Sequence, residues 1–504
     1  MDCAFRFRTK SNVDLDDKRP LSRSSCERYS RGLAMNRPSS SNIIPVQQQE
    51  VRLGVLDGPI IPTILSLATP TILVLVIQTL VGVAETYFIS FLGTDALAGV
   101  SLVFPILMLM QMMSNGGIGG GTAAAIARAL GAGRRGDADA LVWHSIVLAC
   151  ALGGIFTALA LLFGSTLFRS MGGEGQTLTA AVTYSSVVFS GSVPIWITAL
   201  LSSALRGAGN PRIPALVIFG GTIVLLPLSP ALIFGWGPFP ILGIAGGGLA
   251  IVVYYLIAAV ALVLYLRSPN TFLKLKVVPL ERRLFGEILG VGLLSAIGTV
   301  QVNLTVTFVT AAVGHFGVDA LAGYGIASRL DYLQIPVIFG LGTAIVTMVG
   351  LNIGANQIER ARRIAWIGAF LAFGFSGIIG IIGALWPAVW MRIFSDDPDV
   401  LNQGSLYLKT VAPFYGSVGL GLALYFASQG AKSVLLPVLA GTVRMVIAAF
   451  VGWSAVQWLG VDLVSLYGIV AFAALVYGAL TAAAIYWGKW TRDAVSLLEH
   501  GKSP

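Results

Sequence analysis

The chain has 504 residues and a mass of 52.9 kDa, with 56% hydrophobic residues, only 11% charged residues and a mean hydropathy of +0.83. A soluble globular protein carries about 25% charged residues, so this chain has too little charge to cover a water-facing surface; soluble and disordered classes are excluded, and it is read as a polytopic membrane protein. Its net charge of +9 suits Lys/Arg-rich cytoplasmic loops rather than a nucleic-acid partner, and three scattered Cys with three distant His offer neither a disulfide framework nor metal-ligand spacing.

Residues 1–55 come first. They hold ten Lys/Arg, many Ser and the run Gln47-Gln48-Gln49-Glu50, with no apolar stretch of signal-peptide length. They read as a flexible basic cytoplasmic tail, in which Met35 offers a second plausible start. From Pro59 onward twelve apolar segments follow, at about 60–88, 97–126, 140–164, 178–204, 213–235, 242–266, 285–313, 321–350, 364–388, 403–428, 434–458 and 464–488. Each is near the ~20 residues that span a bilayer. Loops after even-numbered segments carry Arg128, Arg134, Arg135, Arg206, Arg212, Lys274, Lys276, Arg362, Arg363 and Lys432, whereas those after odd-numbered segments carry Asp95, Glu174, Asp319, Asp397 and Asp462, with Arg169 and Arg392 their only basic residues. The positive-inside rule then puts both termini in the cytoplasm, in the inner membrane of a cell.

The chain repeats itself at an offset of 223 or 224. Phe91 through Gly99 reappears as His315 through Gly323, Ala129 through Gly133 as Asn352 through Asn356, and Ala204 through Pro214 as Ala427 through Pro437. Each half holds an even number of spans, so both enter the membrane in the same direction, as parallel repeats about the membrane normal. The expected fold is all-α and integral to the membrane. Twelve transmembrane helices form two six-helix bundles related by a pseudo-two-fold along the membrane normal. The halves are 56–270 and 285–490, joined by a cytoplasmic linker at 271–284 and followed by a tail at 491–504. Two such bundles with a cavity between them make a transporter rather than a channel or an enzyme.

Within that plan the order of short words resembles the multidrug and toxin extrusion (MATE) transporters across nearly all of 59–490. The resemblance rests on Pro70, Gln78 and Glu85-Thr86, then Gly93-Thr94-Asp95-Ala96-Leu97-Ala98 and Leu205 through Pro214. In the second half it rests on Ala327-Ser328-Arg329-Leu330 and Val349 through Ala355, the last stretch being most similar to the DinF-like bacterial branch. It implies a cation-coupled antiporter that exports amphipathic, often cationic compounds by alternating access, without a cofactor and driven by a proton or sodium gradient. It is expected to work as a monomer on small-molecule substrates.

Ionisable groups inside a bilayer cost roughly 2.5–3.5 kcal/mol each on the translocon scale, so each calls for a reason. Glu85 stands near the outer end of the first span, with Gln78 two turns earlier on the same face. It either binds the coupling ion or snorkels to the interface. The resemblance favours coupling, since this position matches the functional Asp of the family's first helix. Asp331 is the second coupling candidate, near Arg329 but too close along one helix to face it; a structural ion-pair network is the alternative. Gln78, Gln111, Asn115, Tyr184, Trp196, Gln301, Asn303 and Gln334 are candidates to line a substrate cavity, or to join helix to helix. The run Gly116-Gly117 with Gly119-Gly120-Gly121 lacks the Lys-Ser/Thr of a phosphate loop and reads as close packing or a bend. Asp95 and Asp319 read as helix N-terminal carboxylates. A lipid-linked-glycan flippase of related plan is the competing class. Such a protein needs several cavity cations, and only Arg329 and Lys409 are read as lying outside the basic loops. Many bacterial relatives place an Asn and an Asp in segment 5 where this chain has Leu225 and Ser229, a loss of sodium ligands that points to proton coupling.

Overall fold

The computed structural model describes residues 55–269 and 271–487. The basic tail before Val55, the tail at 491–504, Cys3, Cys26 and His500 lie outside the described residues. All twelve expected segments are helical, because a bilayer offers backbone groups no partner but one another. They are α1 (Ile60–Ser90), α2 (Thr94–Gly131), α3 (Arg135–Ser170), α4 (Gly175–Ser190 and Ser192–Gly207), α5 (Arg212–Phe234) and α6 (Ile244–Arg267) in the first half. The second half has α7 (Arg282–Gly314), α8 (Val318–Gly354), α9 (Ile358–Leu385), α10 (Pro398–Gly430), α11 (Leu435–Leu459) and α12 (Leu463–Trp487). The two pieces of α4 meet at 50°. Gly191 lies at the junction and Pro194, which has no N–H to give, lies in the following turn. In the second half α10 breaks at the 3-10 turn Ala412–Phe414, around Pro413.

The duplication extends to backbone geometry. Gly93 and Gly317, which open α2 and α8, both have φ of 104°. On the face of the molecule that bears most of the arginines, four helices end alike. Arg134, Asn210, Gln357 and Ser433 each donate the backbone N–H to the carbonyl five residues back, at 2.9, 2.9, 2.8 and 2.9 Å. This is a Schellman ending, which needs a left-handed residue just past the helix. The first half supplies Gly133 and Gly209, and the second keeps the conformation at Asn356 (φ 61°) and Lys432 (φ 59°).

Packing differs between the two membrane faces. On the basic face the halves share one core, which includes Ile126, Leu130 and Leu205 with Ile288, Ile345 and Val349. The glycine run is where α2 meets α7 and α10. A Cβ on Gly117 would stand 3.2 Å from Ala296 Cα, and one on Gly121 would run into the Ile288 carbonyl. Toward the basic end, Gly131 abuts the Leu351 carbonyl and Gly354 that of Arg128. A π-helical segment, Met113–Ile118, accommodates this crossing. Toward the acidic face the halves have cores of their own. Val309, Tyr324, Leu330, Tyr407 and Tyr467 form one, while Val74, Ile218, Leu225, Leu232 and Tyr254 form another. The molecule is therefore closed on its basic face.

The segment between the halves is held rather than loose. The Lys274 N–H donates to Asp139 at 2.9 Å, the Glu281 N–H donates to His144 Nε2 at 2.9 Å, and Arg283 pairs with Asp137 at 2.9 Å. Each acceptor lies at the start of α3. Asp95 stands in the first turn of α2 without capping it, and instead accepts a hydrogen bond of 2.8 Å from Thr177 on α4.

The shared core predicts a steep difference between two glycines. Gly131→Ala places a methyl against the Leu351 carbonyl and should cost about 1–3 kcal/mol, lowering the melting temperature of the detergent-purified protein. Gly136→Ala, with open space around it, should leave that temperature unchanged or raise it.

Candidate functional site

Charged residues within the spans mark three places. The first is inside the first half. Glu85 lies in the last turn and a half of α1, and its Oε1 is buried with no hydrogen-bond partner. Tyr184 on α4 and Tyr254 and Tyr255 on α6 stand close enough to feel its charge. The Tyr254 hydroxyl lies beside Gln78 and Thr222 yet completes no hydrogen bond, and the buried Ser229 hydroxyl on α5 has none either. Leaving a buried acceptor unpaired costs about 1–3 kcal/mol and more for a charged group, so this pocket suits a carboxylic acid or a carboxylate that receives a cation. No group of three or more His, Cys, Asp and Glu assembles among the described residues at metal-binding distance.

The second place is inside the second half. Tyr407 on α10 donates its hydroxyl to Asp331 Oδ2 at 2.9 Å, Tyr415 stands beside the same carboxylate, and Oδ1 is buried without a partner. Tyr324 and Tyr467 pack edge-on to Tyr407, with centroids 5.2 and 5.1 Å away. Arg329 does not pair with Asp331; it is exposed and lies 5.3 Å from the Phe394 ring. The cation that Asp331 does feel, at longer range, is Arg444 on α11, whose guanidinium sits 5.4 Å from the Tyr477 ring. This corrects the expectation that only Arg329 and Lys409 depart from the basic loops. Arg444 was legible as the one charged residue of segment 434–458.

The amides stand in different surroundings. Gln78 and Asn115 share a narrow cleft with Arg206 and Phe339, at the seam between the halves. Gln301 joins α7 to α11 through Thr442 Oγ1 at 2.7 Å. Asn303 donates to the Thr299 carbonyl at 2.9 Å and reaches Met112 Sδ of the other half at 3.7 Å. Gln334 is buried with Oε1 unpaired, and Gln111 is partly buried, its carbonyl accepting from Asn115 at 3.2 Å. Trp196 has no exposed surface and packs on Phe156 inside the first half, where Tyr184 is also enclosed. In this conformation neither aromatic presents a wall to a substrate.

The third place was not foreseen. Arg128 and Arg206, assigned to loops by sequence, are buried in the ends of α2 and α4. Arg128 donates to the carbonyls of Gln429 and Gly430 at 3.2 Å each, and to Glu287 Oε2 at 3.1 Å. Lys432 holds the other Glu287 oxygen at 2.8 Å. The buried Gln429 amide completes the seam, donating to the Gly116 carbonyl at 3.3 Å and Ser295 Oγ at 3.1 Å. A side chain of the first half thus closes a helix end and an acid of the second. Glu287 was visible as the sole charge of segment 285–313, but its partners lie far along the chain.

Comparison with known proteins follows the same halves. The family model MatE matches residues 70–231 and 295–454. A Thermotoga maritima protein named probable multidrug resistance protein NorM is 30% identical over 377 residues, 75% of this chain and 81% of its own length. A Shewanella oneidensis protein named FAD transporter is 28% identical over 388 residues, 75% of this chain and 83% of its own. A crystal structure of a MATE protein in its bent conformation superposes with a TM-score of 0.79 at 22% identity, covering 91% of this chain and all of that one.

Removing the acid from the seam should weaken closure. Glu287→Gln leaves the Arg128 guanidinium buried without its counter-charge, and should cost about 1–3 kcal/mol, read as a fall in melting temperature. Lys432→Met, which removes a partly hydrated ammonium, should cost less.

Proposed function

Because the chain belongs to the MatE family of membrane transporters, a family of carriers and not of enzymes, we propose that it is a proton-coupled antiporter. It exports amphipathic, often cationic drugs or metabolites by alternating access, as a monomer of the DinF-like branch. The halves 56–270 and 285–490 rock about the seam, with the basic face and both termini in the cytoplasm and the protein in the cytoplasmic membrane. The resistance protein of Thermotoga maritima supports drug export, and the FAD transporter of Shewanella oneidensis supports a metabolite as cargo.

The observation that carries the coupling is the unpartnered Glu85 oxygen. A carboxylate among hydroxyls takes up a proton from the outer side when the pocket is open there, and gives it up when the pocket faces inward. Ser229 and Leu225 offer α5 one hydroxyl and no carboxylate, too few oxygen ligands to strip a sodium ion of its water. Asp331, tied to Tyr407, is a second coupling site in the other half. Gln78, Gln111, Asn115, Gln301, Asn303 and Gln334 supply the hydrogen-bonding groups of the substrate path, with Tyr184 and Trp196 joining it when the first half repacks.

Arg444 favours a second reading, the lipid-linked-glycan flippase, because it is a cation inside a span. Among the described residues Arg444 stands alone against the Tyr477 ring, and a pyrophosphate lipid needs several cations, so the exporter accounts for more of the molecule.

Two measurements test the assignment. Glu85→Gln should insert and express normally yet lose at least nine-tenths of dye efflux; full resistance conferred by the inserted variant refutes the role of Glu85. In proteoliposomes with clamped membrane potential, a pH gradient should drive uptake of a fluorescent cationic dye without sodium. Transport driven by a sodium gradient at equal pH, and not by the pH gradient, refutes proton coupling.

A further inference from the structure

Where α9 begins and α12 ends, on the basic face, the outer surface holds an open groove of about 870 Å³, within the range of about 300–1,000 Å³ typical of ligand pockets. Its chemistry changes along its length. The end nearest the water carries the guanidiniums of Arg362 and Arg363, with Glu359 the one acid beside them. Arg362 is fixed in place: it donates to the Tyr486 carbonyl at 2.9 Å and lies 5.8 Å from the Tyr486 ring. Arg363 is exposed and has no ion pair or hydrogen bond among the described residues. Deeper in the membrane the wall turns apolar. Trp366 and Phe370, one turn apart with centroids at 5.9 Å, continue the groove, and Phe370 is 61% exposed. From Arg362 to Phe370 the helix rises about 12 Å.

We propose that this groove binds an anionic phospholipid, its phosphate on Arg362 and Arg363 and the upper part of one acyl chain against Trp366 and Phe370. Two guanidiniums beside the one carboxylate of Glu359 leave a single net positive charge, which matches the single negative charge of a phosphodiester, and basic pockets between spanning helices are where anionic headgroups dock. Trp366 and Tyr486 are the aromatic types that sit at headgroup depth. A free phosphate uses only the guanidinium end and leaves the apolar wall unexplained; a neutral lipid leaves the paired arginines unexplained. The site lies outside the seam and the two acid pockets, and it stands independently of the transport reading.

The test uses the full chain in detergent, titrated with phosphatidylglycerol or phosphatidylcholine and read by native mass spectrometry. Phosphatidylglycerol should bind in preference to phosphatidylcholine. Arg363→Gln, which touches no folding contact, should weaken it about fivefold, the worth of one arginine near an anionic surface. Arg362→Gln with Arg363→Gln should weaken it further, and millimolar inorganic phosphate should fail to displace the lipid. Three results overturn the site: equal binding of both lipids, wild-type affinity in Arg363→Gln, or displacement by phosphate. Phosphatidylglycerol binding that appears only once residues 488–504 are deleted also overturns it, because the chain's own tail is then the occupant.

Discussion

Inside a bilayer the last carbonyls of a helix have no water to turn to, and each must find a donor in the protein. At the basic end of α10 that donor is Arg128, which belongs to the other half of the molecule and bonds the Gln429 and Gly430 carbonyls. The same guanidinium reaches Glu287, and Glu287 reaches Lys432. One buried cation is therefore neutralised only while the halves are together. Parting the halves strips the Arg128 guanidinium of Glu287 and of both carbonyls at once, and water must replace those partners, while the Glu287–Lys432 pair stays whole within the second half.

The glycines make that closeness possible. Backbones of α2, α7 and α8 cross where Gly121, Gly131 and Gly354 leave no room for a methyl group and Gly117 leaves little. Without a hydrophobic drive between helices in lipid, close van der Waals contact between small residues is what holds such crossings. The toward-water endings repeat the same economy of means: four Schellman turns finish four helices within reach of the seam, two at glycine and two at Asn356 and Lys432. Lys432 is thus both the left-handed residue that ends α10 and the cation that pairs with Glu287.

The halves share a frame but not a chemistry. Glu85 has Val309 at the matching place in the second half, and Asp331 has Met108 in the first. Each half consequently holds one acid with a buried, unpaired oxygen, at different heights and among different neighbours. Around Glu85 the neighbours are the phenols of Tyr184, Tyr254 and Tyr255. Around Asp331 they include a donated tyrosine hydroxyl and a distant arginine. The duplicated frame thus surrounds its two acids with different side chains rather than repeating one arrangement.

What sequence alone determined was everything governed by the bilayer or by local geometry. Span lengths follow from the thickness of the hydrocarbon, so all twelve segments were legible, and the 223–224 offset made the two halves legible in turn. The glycine run was readable as close packing because a membrane-depth glycine cluster has few other uses. The partners were another matter. Arg128 and Gln429 lie 301 residues apart and Asp331 and Tyr407 lie 76 apart, and no periodicity links such positions. Arg128 and Arg206 looked like loop cations because positive charge near a span end is read as facing water. Only the tertiary fold showed them buried, since burial there depends on a second half arriving to supply the carbonyls and the acid. Trp196 illustrates the converse: an aromatic in a span suits a cavity or a core equally well by composition, and only the tertiary structure shows it packed on Phe156 in this conformation.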